Sequence, residues 1–153
     1  MIEQRLLRII QRSKDPGVEL DALTDEFRGG RNVDDLVTLL NSENLQVVQI
    51  GLWIADEIVI DPKNGQALVA RLHELLGHAV PAIRIGALKA IYSVLDFENP
   101  VSTAILGTMI RDPDQAVRSL AAIALERVAK DRKMEKKGPS NRKQVKGRRR
   151  GQA

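Results

Sequence analysis

Three stretches of this chain set the same kinds of residue at the same intervals, and an internal repeat limits the available folds more than any other feature. They are LLNSENLQVVQIGLWIADEIV (39–59), LLGHAVPAIRIGALKAIYSVL (75–95) and MIRDPDQAVRSLAAIALERVA (109–129). Leu40, Leu76 and Ile110 close a first segment, and Val48, Ile83 and Val117 open a second. Ala55, Ala90 and Ala124 follow seven residues later, and Val59, Val94 and Val128 come near the end. The units are spaced 35 and then 34 residues apart.

Each unit reads as two helices joined by a turn. The first helices fall near 33–41, 65–77 and 101–110, and the second near 45–60, 80–95 and 114–130. The turns carry helix punctuation: Asn41-Ser42-Glu43-Asn44, Gly77-His78-Ala79-Val80-Pro81 and Asp112-Pro113-Asp114. Asn44 and Asp112 are suited to accept hydrogen bonds from the free amides at a helix start, and proline suits a first turn. Gly51, Gly86, Ala55 and Ala90 let neighbouring helices come close. One hairpin cannot bury its apolar face alone, whereas stacked hairpins can.

The rhythm D-x-x-V-R-x-x-A-x-x-A-L within DPDQAVRSLAAIAL resembles that of HEAT-like repeats, including the short kind found in phycobilin lyase-like proteins. The resemblance covers about residues 33–130. It implies an all-α fold, a right-handed α-solenoid of stacked helical hairpins at 33–60, 65–95 and 101–130. The first unit departs from the pattern, with Gln49 where the later ones have Arg84 and Arg118. Residues 1–30 read as a further, capping hairpin, turned by Asp15-Pro16-Gly17 and stopped by Gly29-Gly30. More narrowly, the same three stretches look like those of a group of small bacterial HEAT-like proteins, some of which serve as immunity proteins that bind and block a toxin.

Composition agrees with packed helices. Hydrophobic residues make up 43% of the 153 and aromatics only 3%, so aliphatic side chains must fill the core. Cysteine is absent, which excludes disulfides and thiolate metal sites and fits a reducing cytoplasm. The opening residues are charged throughout, unlike a signal peptide, and no apolar run is long enough to span a bilayer. The net charge of +4 conceals two halves. From Lys130 onward there are 11 Lys and Arg against two acidic residues, which leaves 13 basic and 18 acidic residues in 1–129. The folded part, 1–130, is thus acidic, and the basicity belongs to the tail, 131–153. That tail has too few apolar residues to offset its ordering entropy and is expected to be disordered after about Lys137.

No catalytic constellation emerges. HELLGH sets His73 and His78 five apart, about 140° around a helix, where a zinc pair needs four. They read as a surface and a turn histidine. FRGGRN lacks the lysine and hydroxyl of a phosphate loop and reads as a helix stop. Asp34-Asp35 and Asp56-Glu57 read as solvated faces. Some HEAT-like proteins are DNA glycosylases, but an acidic body is ill-suited to a phosphate backbone. The expectation is a protein that is not an enzyme, with no metal and no cofactor.

A binding surface is expected instead. In arrays of this kind the second helices line the concave side. One stripe reads Gln49, Trp53, Glu57, then Arg84, Leu88, Tyr92, then Arg118, Ala122, Glu126. It holds the chain's one Trp and one Tyr, and aromatics and Arg anchor interfaces most often. Of these, Gln49, Trp53, Glu57, Arg84, Tyr92, Arg118 and Glu126 are the candidate partner contacts. The competing reading places Trp53, Leu88 and Ala122 at equivalent packed positions, and it has Arg118 bonded to a turn aspartate, Asp112 or Asp114. An acidic face suits a basic protein partner such as a nucleic-acid-directed toxin or effector. The leading expectation is an immunity or inhibitor protein in the cytoplasm. The alternative is a nucleic-acid- or ribosome-associated adaptor held non-specifically by Lys143, Lys146, Arg148, Arg149 and Arg150 of the tail.

Overall fold

In the computed structural model, residues 1–95 and 100–137 are described. The expected disorder of the tail, and its lysines and arginines from Lys143 to Arg150, lie outside these residues. Among the described residues the chain is all-helical, with eight helices and no strand. They are α1 (Ile2–Arg12), α2 (Pro16–Arg28), α3 (Asp34–Leu40), α4 (Leu45–Glu57), α5 (Gln66–Leu75), α6 (Pro81–Tyr92), α7 (Pro100–Met109) and α8 (Gln115–Lys137). No described helix is long and apolar enough to cross a membrane. The chain divides into two compact units, Met1–Asp96 and Phe97–Ala153.

The first unit holds α1–α6. Consecutive helices pair as α1–α2, α3–α4 and α5–α6, while α3 also packs on α5 and α4 on α6. First helices therefore lie on first helices, α1 on α3 and α3 on α5, and the second helix α4 lies on α6. Leu36, Leu39, Val47, Ile54, Leu68, Leu72, Ile83 and Ile91 are wholly buried and belong to one continuous aliphatic core. In the second unit α7 packs on α8, with Leu106, Met109, Val117 and Ala121 buried.

The same bond shapes the turn of every hairpin. The side chains of Ser13, Ser42, His78 and Asp112 each accept from the backbone N–H two residues ahead, at 2.8–3.1 Å. The donors are Asp15, Asn44, Val80 and Asp114, the residues just before the second helices. Three of these then cap the helix. Asp15 accepts from Val18 N–H, Asn44 from Gln46 and Val47 N–H, and Asp114 from Ala116 and Val117 N–H, which satisfies amides a helix start leaves free. Val80 has no side-chain acceptor to offer, and Pro81 at the first helical position removes a donor instead. Asp112 thus serves the turn, and the cap expected of it belongs to Asp114.

These caps correct the alignment of the first unit. Counted from Asn44, Val80 and Asp114, the first buried residue of each second helix is Val47, Ile83 and Val117, each with no exposed surface. Val47, and not Val48, is thus the equivalent of Ile83; adjacent valines leave apolar pattern alone unable to choose between them. The true spacing of the caps is 36 and then 34 residues. Likewise Leu36, Leu72 and Leu106 are equivalent and wholly buried in the first helices.

Close approach between α4 and α6 depends on Gly86. A Cβ there would stand 2.9 Å from Leu52 Cδ1 and 3.2 Å from Leu52 Cβ, inside van der Waals contact. At the other end of the unit α2 ends at Arg28, and Gly30, two residues on, has a φ of 105° that suits glycine and reverses the chain. Gly30 N–H donates to the Phe27 carbonyl at 3.1 Å and Arg31 N–H to the Glu26 carbonyl at 3.0 Å. That closure turns Arg31 back over the end of α2, its guanidinium carbon 5.6 Å from the Phe27 ring centre.

Candidate protein-binding groove

With the register fixed by the caps, the stripe read from sequence separates into two faces. Leu52, Leu88 and Ala122 are the equivalent residues, and Leu52 and Leu88 are buried at 2% and 1% exposure. Trp53 is equivalent to Lys89 and Ile123, and all three are exposed. Trp53 is 40% exposed and Ile123 53%. Trp53 therefore does not share the packed position of Leu88.

The structure brings Gln49 and Trp53 together in a groove of about 230 Å³ between α4 and α6. Gln49, Trp53 and Asp56 form the α4 wall, Ala82, Ile85 and Lys89 the α6 wall, and Leu52 and Gly86 complete the lining. The groove exists for two reasons. Gly86 draws the helices together, and Ala82 and Gly86 present almost no side chain opposite the indole. The side chains of Asp56 and Lys89 make no hydrogen bond or ion pair among the described residues, so both charges are open to a ligand. Sequence reading missed Asp56, Ala82, Ile85 and Lys89; the cap register is the signal that finds them.

The other candidates stand elsewhere. Glu57 is exposed on α4 and pairs with Arg28 of α2 at 3.2 Å. Arg84 is half-buried, and its Nη1 donates to the carbonyls of His78 and Ala79 at 2.7 and 3.1 Å. Tyr92 is half-buried at the last position of α6. Arg118, in the second unit, repeats the arrangement of Arg84, with Nη1 donating to the carbonyls of Asp112 and Pro113 at 2.7 and 2.9 Å. The turn bond to Arg118 is therefore made by main-chain oxygens. Glu126 is exposed on α8. His78 is held in its turn as an acceptor, and His73 is exposed on α5.

Among the described residues, a strongly perturbed ionisable group lies away from the groove. Glu26 of α2 receives Arg5 of α1 at 2.6 and 2.9 Å and Arg31 at 2.6 Å. These bonds, Arg5's first and Arg31's second, lower the Glu26 carboxyl to about 2. Arg31 also donates to Asp35 of α3 at 2.9 Å, and its own pKa is raised, first by that bond. The four residues tie α1, α2 and α3 into one network. They read as structural, because each charge is satisfied by a neighbour within the fold.

Comparisons with protein-family models, with curated proteins and with solved structures found no match. The groove and the turns therefore stand on their own chemistry.

Proposed function

We propose that this chain is a HEAT-like, right-handed α-solenoid that binds a protein in the α4–α6 groove and performs no chemistry. Its role in this reading is that of a cytoplasmic immunity or inhibitor protein, which blocks a basic toxin or effector. The observation that carries the reading is Trp53. The chain has one Trp, and it is two-fifths exposed beside a groove with two unengaged charges, where a core aromatic would be buried. The layering of first helices on first and second on second in α3–α6 supports the HEAT-like assignment. The excess of acidic residues in 1–129 supports a basic partner.

The test is nuclease-treated affinity capture with the full-length chain, beside a Trp53→Ala variant and a variant with the basic residues from Lys143 to Arg150 neutralised. One stoichiometric protein lost by Trp53→Ala, and toxic when expressed without this chain, is the expected result. Material retained only through the tail, and released by nuclease, would replace the reading with that of a nucleic-acid-associated adaptor.

A further inference from the structure

A second surface pocket lies at the α1–α2 hairpin, apart from the groove. Arg5, Arg8, Ile9, Arg12, Ser13 and Glu19 line a space of about 460 Å³. Intervals of three and four residues put the three arginines on one face of α1. Their bonding differs. Arg5 is anchored by Glu26 at 2.6 and 2.9 Å. Arg8 uses only its Nε, donating to the Gln4 carbonyl at 3.4 Å. Arg12 makes no hydrogen bond or ion pair among the described residues. The acidic lining residue, Glu19, accepts from the Ser13 hydroxyl at 2.8 Å. Arg5's charge is thus met by Glu26, and Arg8 and Arg12 face the one carboxylate of the lining, Glu19, in a part of the chain that is otherwise acidic.

Like charges four residues apart on a helix repel, about as strongly as an opposite pair attracts. An anion seated between Arg8 and Arg12 attracts both and outweighs that repulsion. We propose that this pocket binds a phosphate group, with Arg8 and Arg12 as its direct ligands and Arg5 as the fixed third cation. The choice of phosphate follows from donor number. A single guanidinium satisfies both oxygens of a carboxylate in a bidentate pair, whereas a phosphate offers a third oxygen and further charge, and takes two guanidiniums at once. The pocket is open to solvent, so the group can be free or carried on a larger molecule.

The experiment is two-dimensional NMR of the Arg Nε–H signals on the full-length chain. Three titrants are compared at matched ionic strength: inorganic pyrophosphate, a short single-stranded oligonucleotide and acetate. Saturable shifts of the Arg8 and Arg12 signals with pyrophosphate are expected. The double substitution Arg8→Gln with Arg12→Gln should weaken the response of the Ser13 and Glu19 amides roughly tenfold or more, with unchanged melting. Saturation by the oligonucleotide alone would support the site and name a phosphodiester as its source. Shifts equalled by acetate, or confined to arginines beyond residue 130, would overturn the proposal. So would a response that survives the double substitution.

Discussion

Arg84 and Arg118 do the same work in different units of the chain. The Nη1 of each donates to two main-chain carbonyls of the turn that precedes its own helix, five and six residues back. A guanidinium bonded to two carbonyls keeps the turn from opening, because each oxygen would otherwise need water. Arg118→Met keeps the aliphatic stem and removes both charge-assisted bonds. It should destabilise the protein by about 1.5–3 kcal/mol, as a lower urea midpoint with unchanged slope.

The Glu26 network makes stability depend on acid. Glu26 has its folded pKa lowered from 4.5 to about 2. Its contribution is therefore complete above the unfolded value and declines as pH falls from about 4.5 toward 2. Glu26→Gln should lower the melting temperature at neutral pH and flatten the fall in melting temperature across that window. The carboxylate is 39% exposed, so solvent screening keeps the effect modest. Parallel acid limbs for variant and wild type would show that Glu26 is not the group responsible.

Two glycines should respond in opposite directions to an added side chain. Gly86→Val drives a branched side chain into Leu52 and should cost about 1–3 kcal/mol through overpacking. Gly107, on α7, has nothing within 4 Å of an added Cβ. Gly107→Ala should therefore raise stability by about 0.5–1 kcal/mol, because alanine restricts the unfolded chain and favours helix. Thermal melts of the two variants beside wild type decide both signs.

Trp53 reports on its own groove, since the chain has no other Trp. Acrylamide should quench its fluorescence readily in the free protein. Binding of a partner in the groove should protect the indole and shift its emission to shorter wavelength. Lys89→Glu, on the facing wall, should weaken that response by roughly tenfold while leaving the free spectrum unchanged. A partner that binds without protecting Trp53 binds elsewhere.

Much of the fold is legible in the sequence, because helix ends are written locally. Gly29-Gly30 stops α2 and Asp15-Pro16-Gly17 starts it, as the residue types imply. The exposed face was less legible. A shift of one residue rotates a helical position by about 100°, which is enough to pair Trp53 with buried Leu88 in place of exposed Lys89. Val47-Val48 hid that shift, and only the amides bonded by Asn44 reveal it. Within the Arg5–Glu26–Arg31–Asp35 network, the Arg5–Glu26 contact had no signature. Arg5 and Glu26 are 21 residues apart and meet only once α1 lies against α2.

The turn bonds bear on how the chain folds. Ser13, Ser42, His78 and Asp112 reach donors two residues away, and the capping acceptors reach two or three. Closing such short loops takes little entropy, and it needs no distant part of the chain to arrive first. Reversal can begin at four places independently, and contacts of low sequence separation favour fast assembly. A substitution at one turn should accordingly slow the pairing of its own two helices and leave the nucleation of the others untouched.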